Sequence, residues 1–174
     1  MILHVTQCAG KKRQGELPPC TLYDSVRIAQ FIDYCKRHNL NWAILSAKYG
    51  LFFPKERHLP YDVTMKSDPF CLLRIRMVVN EELLPKQESD QMLTDLLETI
   101  RMQANKHLLE RIYFYTYNPV HSRCYLAVLH SVFDNCNEPH IWRELLRCIE
   151  QYGRIRVSAG LNFATRTVQR LHLQ

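Results

Sequence analysis

The sequence predicts one α/β domain over residues 1–174, a three-layer, Rossmann-like arrangement with a mostly parallel four-stranded sheet and helices on both faces. Three observations predict it. Short apolar runs at residues 2–7, 42–45, 112–116 and 155–158 have the continuous hydrophobicity of strands buried on both faces. Segments with apolar residues at helical spacing separate those runs, so the connections read as crossovers between parallel strands. At 174 residues and 47% hydrophobic, the chain is long enough for one full core.

Taken in order, residues 2–7 form a first strand that runs into Cys8-Ala-Gly-Lys-Lys-Arg13, a loop with a thiol, a glycine and three cations. Gly15-Glu-Leu-Pro-Pro19 is turn material. Asp24 or Ser25 caps a helix carrying Ile28, Ala29, Ile32 and Cys35, and Asn39 suits its left-handed end. The second strand, Trp42-Ala-Ile-Leu45, changes abruptly to Ser46, Lys48, Tyr49 and Gly50. An irregular connection follows over residues 54–64. Ser67-Asp-Pro69 then signals a helix with Leu72, Ile75, Val78 and Val79 on one side. Ser89 caps another, with Met92, Leu93, Leu96, Leu97, Ile100 and Leu108 as its apolar stripe. Ile112-Tyr-Phe-Tyr-Thr116 is aromatic and strand-like. Asn118-Pro119 and Asn137-Glu-Pro139 open two more helices, Ile155-Arg-Val-Ser158 is a short strand, and a last helix presents Arg166 and Arg170.

Composition excludes several classes. No apolar segment is long enough to span a membrane, and the first residues lack the basic start and cleavage site of a signal peptide. Seven scattered cysteines, odd in number and without a Cys-x-x-Cys pair, point to free thiols in a reducing, cytoplasmic setting. A net charge of +6 is compatible with a nucleotide or nucleic acid as partner, DNA or RNA undecided. No Walker motif, Gly-x-Gly-x-x-Gly or Gly-x-Ser-x-Gly elbow is present, and no cofactor is expected. His121, Cys124, Cys136 and His140 have spacing zinc could use, but Cys124 falls on an apolar helix face, and no metal is expected either.

If the four strands are parallel, their carboxyl ends share an edge, where ligands of open α/β sheets bind. That edge would collect Cys8, Gly10, Lys11 and Lys12, then Ser46, Lys48, Tyr49 and Gly50, then Asn118, then Ser158. Glycines admit a ligand to the backbone, and helix-start amides receive an anion. Each member also has a plainer reading: Asn118 as a helix cap, the lysines as a solvated loop, Cys8 as a small residue at a tight turn.

Val5-Thr-Gln-Cys8-Ala-Gly-Lys-Lys12, Leu22-Tyr23, Ile44-Leu-Ser-Ala-Lys-Tyr-Gly-Leu51 and Pro60-Tyr-Asp-Val-Thr64 together resemble a little-characterised microbial domain family. Its members read approximately Cys-Ser-x-Lys-Lys, Leu-Tyr, Leu-Ser-Ala-Lys-Tyr/His-Gly-Leu and Pro-Tyr-Asp-x-Thr. Ala9 stands where that family usually has serine. The family is distantly similar to the core domain of archaeosine synthase, which works on a deazaguanine base in tRNA, and more loosely to a peroxide-stress family. The resemblance supports the site, and the site's carboxylate, thiol and amines together exceed what phosphate binding requires, which points to an enzyme acting on a nucleobase or nucleoside, possibly a modified or deazaguanine base within nucleic acid. Cys8 would be the nucleophile, its thiolate favoured by Lys12 or Lys48. Tyr49 and Tyr61 would stack on the base, and Asp62 would hydrogen-bond its edge or act as general acid or base. The alternative is a non-catalytic nucleic-acid-binding or stress-response module in which the same cations hold phosphate.

Overall fold

The computed structural model describes residues 1–68, 74–116 and 121–133, and the backbone of a strand at Ile155–Ala159. The chain is α/β, and its described residues build two sheets. The larger has five strands: β1 (Ile2–Gln7), β2 (Trp42–Ser46), β3 (Gly50–Phe52), β7 (Arg111–Thr116) and β8 (Ile155–Ala159). Their order across the sheet is β3-β2-β1-β7-β8. β1 pairs in parallel with β2 and β7, and β7 with β8, while β3 turns back antiparallel on β2. The second sheet is an antiparallel set of β4 (Val63–Ser67), β5 (Ile75–Val79) and β6 (Glu82–Leu83). The sheet is therefore mixed, and a sheet that the sequence reading did not anticipate lies beside it.

A helical connection sets β2 parallel to β1. After β1 the chain forms one turn of helix, α1 (Pro19–Leu22), and then α2 (Val26–Arg37). Ser25 caps α2 by accepting from the Ile28 amide at 3.5 Å, and the helix stops where Asn39 takes φ +51°. Its buried face, Ile28, Phe31, Ile32 and Cys35, joins Leu3, Val5 and Ala43 in the core. Phe31, Phe52 and Phe114 are fully buried, each contributing about 1.5–3 kcal/mol relative to exposure.

The helix expected after Ser67-Asp-Pro69 is absent from residues 75–79, which form β5. Ile75, Val78 and Val79 are β-branched, and their spacing fits a strand end as well as a helix face. A tight turn follows in which Asn80 and Glu81 both adopt positive φ, 50° and 68°, as a primed hairpin turn requires. The expected irregular connection over residues 54–64 runs at its end into β4, whose Val63 and Met65 alternate inward.

α3 (Lys86–Lys106) also departs from expectation, beginning after Pro85 rather than at Ser89. Ser89 is buried inside the helix, and its hydroxyl accepts from the Met77 amide at 2.8 Å, tying α3 to β5. Leu96, Ile100 and Ala104 form the buried stripe, whereas Leu108 lies past the helix end at φ +49° and is 77% exposed. α4 (Arg123–Phe133) follows β7 and is buried along most of its length. Among the described residues, no helix is long and apolar enough to cross a membrane. The expected helix starts at Asn118 and Asn137, and Arg166 and Arg170, lie outside the described residues.

Candidate functional site

Because β1, β2, β7 and β8 are mutually parallel, Cys8, Ser46, Thr116 and Ala159 stand at one edge of the larger sheet. The Cys8 amide donates to the Leu45 carbonyl at 2.9 Å, so the thiol leaves the sheet level with Ser46. Beyond Cys8 the loop is held by backbone pairing to the segment before α2. Arg13 N–H donates to Leu22 O at 2.8 Å, and Asp24 N–H to Lys11 O at 3.1 Å. Lys12 is thereby set opposite Tyr23.

These constraints gather a polar cluster inside an otherwise apolar core. The Cys8 sulfur lies 3.2 Å from the Tyr125 hydroxyl. Tyr23 and Tyr61 share a hydroxyl–hydroxyl bond of 2.8 Å, and the Ser46 hydroxyl interacts with both. The Lys12 ammonium donates to the Gly10 carbonyl at 3.0 Å and rests over the Tyr61 ring, 4.1 Å from its centre. Arg27, in the first turn of α2, donates to the Gln7 and Cys8 carbonyls at 3.1 and 3.4 Å.

Electrostatically, Cys8 is the common neighbour. Burial pushes the Tyr23, Tyr61 and Tyr125 hydroxyls well above the usual phenol range, and Cys8 adds to the rise in each case. All three phenols are therefore protonated hydrogen-bond donors at neutral pH. Burial also lowers the Lys12 ammonium, an effect that nearby Cys8 and Asp62 oppose. The arrangement provides a thiol, two cations and three protonated phenols, a set suited to covalent attack with charge stabilisation and proton delivery.

The expected residues divide unevenly around this cluster. Cys8, Gly10, Lys12, Ser46 and Tyr61 belong to it, and Asp62, itself exposed, reaches it electrostatically through Lys12. Lys11 is drawn away to Asp24, 2.5 Å from its carboxylate. Lys48 is exposed, with its ammonium 5.3 Å from the centre of the Tyr49 ring. Tyr49 already stacks on His58 at 4.0 Å and donates to the Leu59 carbonyl. Tyr61 is buried beneath Lys12, so its hydroxyl and not an open ring face is what it offers. Ser46 also has a local task, accepting from the Lys48 and Tyr49 amides at 3.1 and 3.0 Å to shape the β2–β3 turn.

Gly50 has a packing role. It starts β3 at φ +68°, and a Cβ there would meet the Gln103 side-chain oxygen at 2.6 Å. Gly10 has open space around it, so a side chain would be accommodated. Asn118 lies outside the described residues, and Ser158 is placed only as a backbone position, opposite Tyr115 near the strand end. Of the zinc-spaced set, Cys136 and His140 also lie outside them, and Cys124 is buried with its sulfur 3.9 Å from the Ser67 hydroxyl.

Tyr23, Arg27 and Tyr125 were not anticipated. Tyr23 had one signal, its place in the Leu22-Tyr23 block. Arg27 and Tyr125 sit in ordinary helical patterns, and only packing across 117 residues brings Tyr125 to Cys8.

A model of a family of unknown function (DUF6884) matches residues 3–70, less than half of the chain. No curated protein and no solved structure matches the chain. The matched residues include Cys8, Lys12, Tyr23, Arg27, Ser46 and Tyr61, and stop short of Tyr125.

Proposed function

We propose that the chain is an enzyme acting on a nucleobase or nucleoside, free or within nucleic acid, with Cys8 as nucleophile. The observation that carries this reading is the company of the Cys8 sulfur at the strand edge. A thiol there with Tyr125 at 3.2 Å, and with Lys12 and Arg27 in electrostatic reach, exceeds what phosphate binding requires. In the proposed step the Cys8 thiolate adds to an electrophilic ring carbon. A C–S bond forms, the π pair moves onto the adjoining nitrogen or oxygen, and that atom takes a proton from Lys12. Loss of sulfur with return of the proton to Lys12 restores both partners. The adduct is the activated ring.

The same reading takes the larger sheet as the middle of a three-layer, Rossmann-like arrangement, supported by its four parallel strands and helical connections. It also takes the setting as cytoplasmic, supported by the free thiols of Cys8, Cys20, Cys35 and Cys124. The second reading, a non-catalytic nucleic-acid-binding module, is favoured by one observation: Cys8 is only 9% exposed, as a structural thiol would be.

Intact-mass analysis of the protein mixed with nucleobases, nucleosides, deazaguanines and short oligonucleotides separates the two. The enzyme reading expects an adduct that maps to Cys8 and is missing in Cys8→Ala, which still binds the ligand. Binding without adduct or turnover, unchanged in Cys8→Ala, would give the chain to the second reading.

A further inference from the structure

We infer that Tyr125 is a positioning residue for Cys8, donating a hydrogen bond to its sulfur while Thr64 holds the phenol oxygen. The role rests on the proposed use of Cys8 as nucleophile, but its physical basis is independent of any substrate.

The direction of the Cys8–Tyr125 bond follows from chemistry. A thiolate can only accept, and a phenol O–H is a far stronger donor than S–H. Burial, the largest influence on Tyr125, keeps its hydroxyl protonated. The Thr64 hydroxyl interacts with the phenol oxygen of Tyr125, which leaves the phenol's own proton for sulfur. The order is therefore Thr64 O–H to Tyr125 oxygen, then Tyr125 O–H to Cys8 sulfur.

The neighbouring groups do not duplicate this role. Those facing Cys8 are Lys12, Tyr23, Arg27, Tyr61 and Tyr125. Tyr23 and Tyr61 are engaged with each other. Lys12 is bonded to the Gly10 carbonyl, and Arg27 to the carbonyls of Gln7 and Cys8. Among these groups, it is the Tyr125 hydroxyl that reaches the sulfur itself, at 3.2 Å. It comes from α4, which packs on β4, the strand that carries Thr64. The second sheet and α4 therefore act together on a thiol supplied by the first sheet. Tyr125 also lies beyond the family-matched residues, so the remainder of the chain completes the site.

The test is the pH profile of iodoacetamide labelling at Cys8, read by peptide mass mapping from pH 5 to 10 in the full chain. Cys20, which is exposed, is first changed to serine to simplify the reading. The plateau rate reports access to the thiol, and the midpoint reports the hydrogen bond. Tyr125→Phe keeps the ring and is expected to move the midpoint to higher pH, slowing labelling at neutral pH about tenfold. Thr64→Val should move it less in the same direction, and Thr64→Ser should restore it. An unchanged midpoint in a folded Tyr125→Phe protein overturns the inference. Should that variant fail to fold, the Thr64→Val and Thr64→Ser pair decides, and identical midpoints overturn it. A shifted midpoint without any nucleobase adduct would reject the catalytic reading alone. A Cys8 adduct with unshifted midpoints would reject the Tyr125 role alone.

Discussion

Gln103 closes the outer edge of β3 by gripping Leu51 through both ends of its amide. Its oxygen accepts from the Leu51 N–H at 2.8 Å, and its nitrogen donates to the carbonyls of Leu51 and Tyr49 at 3.1 Å. One side chain of α3 thus stands where another strand would pair. An open edge is a template for unwanted association, and covering it removes that hazard.

Gln103→Ala should therefore destabilise the protein by about 1–3 kcal/mol, because it leaves backbone groups of a buried strand unpaired. Gly50→Ala should destabilise it as well, through a Cβ 2.6 Å from the same amide oxygen and a backbone at φ +68°. Urea unfolding of both variants checks the pair. Wild-type stability in either would show that the contact carries no net energy.

His4 makes stability depend on pH. Its Nδ1 lies 2.7 Å from the Tyr115 hydroxyl, and its ring stacks on Tyr113 at 5.1 Å. Burial lowers its pKa below the ordinary value of 6.5. The Tyr115 hydroxyl, pushed up chiefly by burial, stays protonated beside the neutral imidazole. A folded pKa below the unfolded one means that the unfolded state binds the extra proton. The contribution is complete above about pH 6.5 and is lost as pH falls through that value toward the folded pKa. His4→Phe should flatten the decline in stability between pH 7 and 5, measured by urea titration at each pH. An unaltered slope would remove His4 as its source.

How much of this was legible depended on the length of the interactions. β1, β2, β7 and β8 are continuous apolar runs, and strands buried on both faces leave that signature. Asn39 and Ser25 mark the ends of α2 through local chemistry and were readable for the same reason. β5 was not, because apolar residues at 75, 78 and 79 satisfy helix and strand spacing alike. The β-branched Ile75, Val78 and Val79, followed by Asn80, were the available signal. At the site, Cys8 and Lys12 lie four residues apart and announced themselves as a loop. Tyr125 could not, since a tyrosine in a helical apolar pattern reads as core until its hydroxyl partner is known.

The cysteines should differ in reactivity for reasons visible in their surroundings. Burial pushes the Cys35 thiol up to about 12 and raises that of Cys124. Both should resist a limiting dose of iodoacetamide near neutral pH. Exposed Cys20 should react on access alone. With Cys20 replaced by serine, Cys8 should lead Cys35 and Cys124, and Lys12→Met should slow it where Lys48→Met does not. That contrast follows from the placement of Lys12 over Tyr61 beside Cys8 and of Lys48 over Tyr49. Equal effects of the two lysine variants would contradict the geometry.

Asp24 governs how much of the loop's charge is free for a phosphate. Its carboxylate holds Lys11 at 2.5 Å and Arg13 at 3.6 Å. The hydrogen bond from Lys11 is the main influence keeping its pKa below the usual carboxylate range, so Asp24 is ionised in any neutral buffer. These are exposed pairs, and polyanion phosphates can compete for both cations. If the partner is a polynucleotide, Asp24→Asn should strengthen binding and steepen its salt dependence. Lys11→Gln should weaken it and reduce the slope of log K against log salt by about 0.9 for a duplex and about 0.7 for a single strand. Fluorescence anisotropy with labelled duplex and single-stranded oligonucleotides between 50 and 200 mM salt reads both quantities. Opposite shifts in the two variants would assign the loop to phosphate contact. Identical salt slopes in wild type, Asp24→Asn and Lys11→Gln would take the loop out of the interface and leave a free nucleobase or nucleoside as the ligand to pursue.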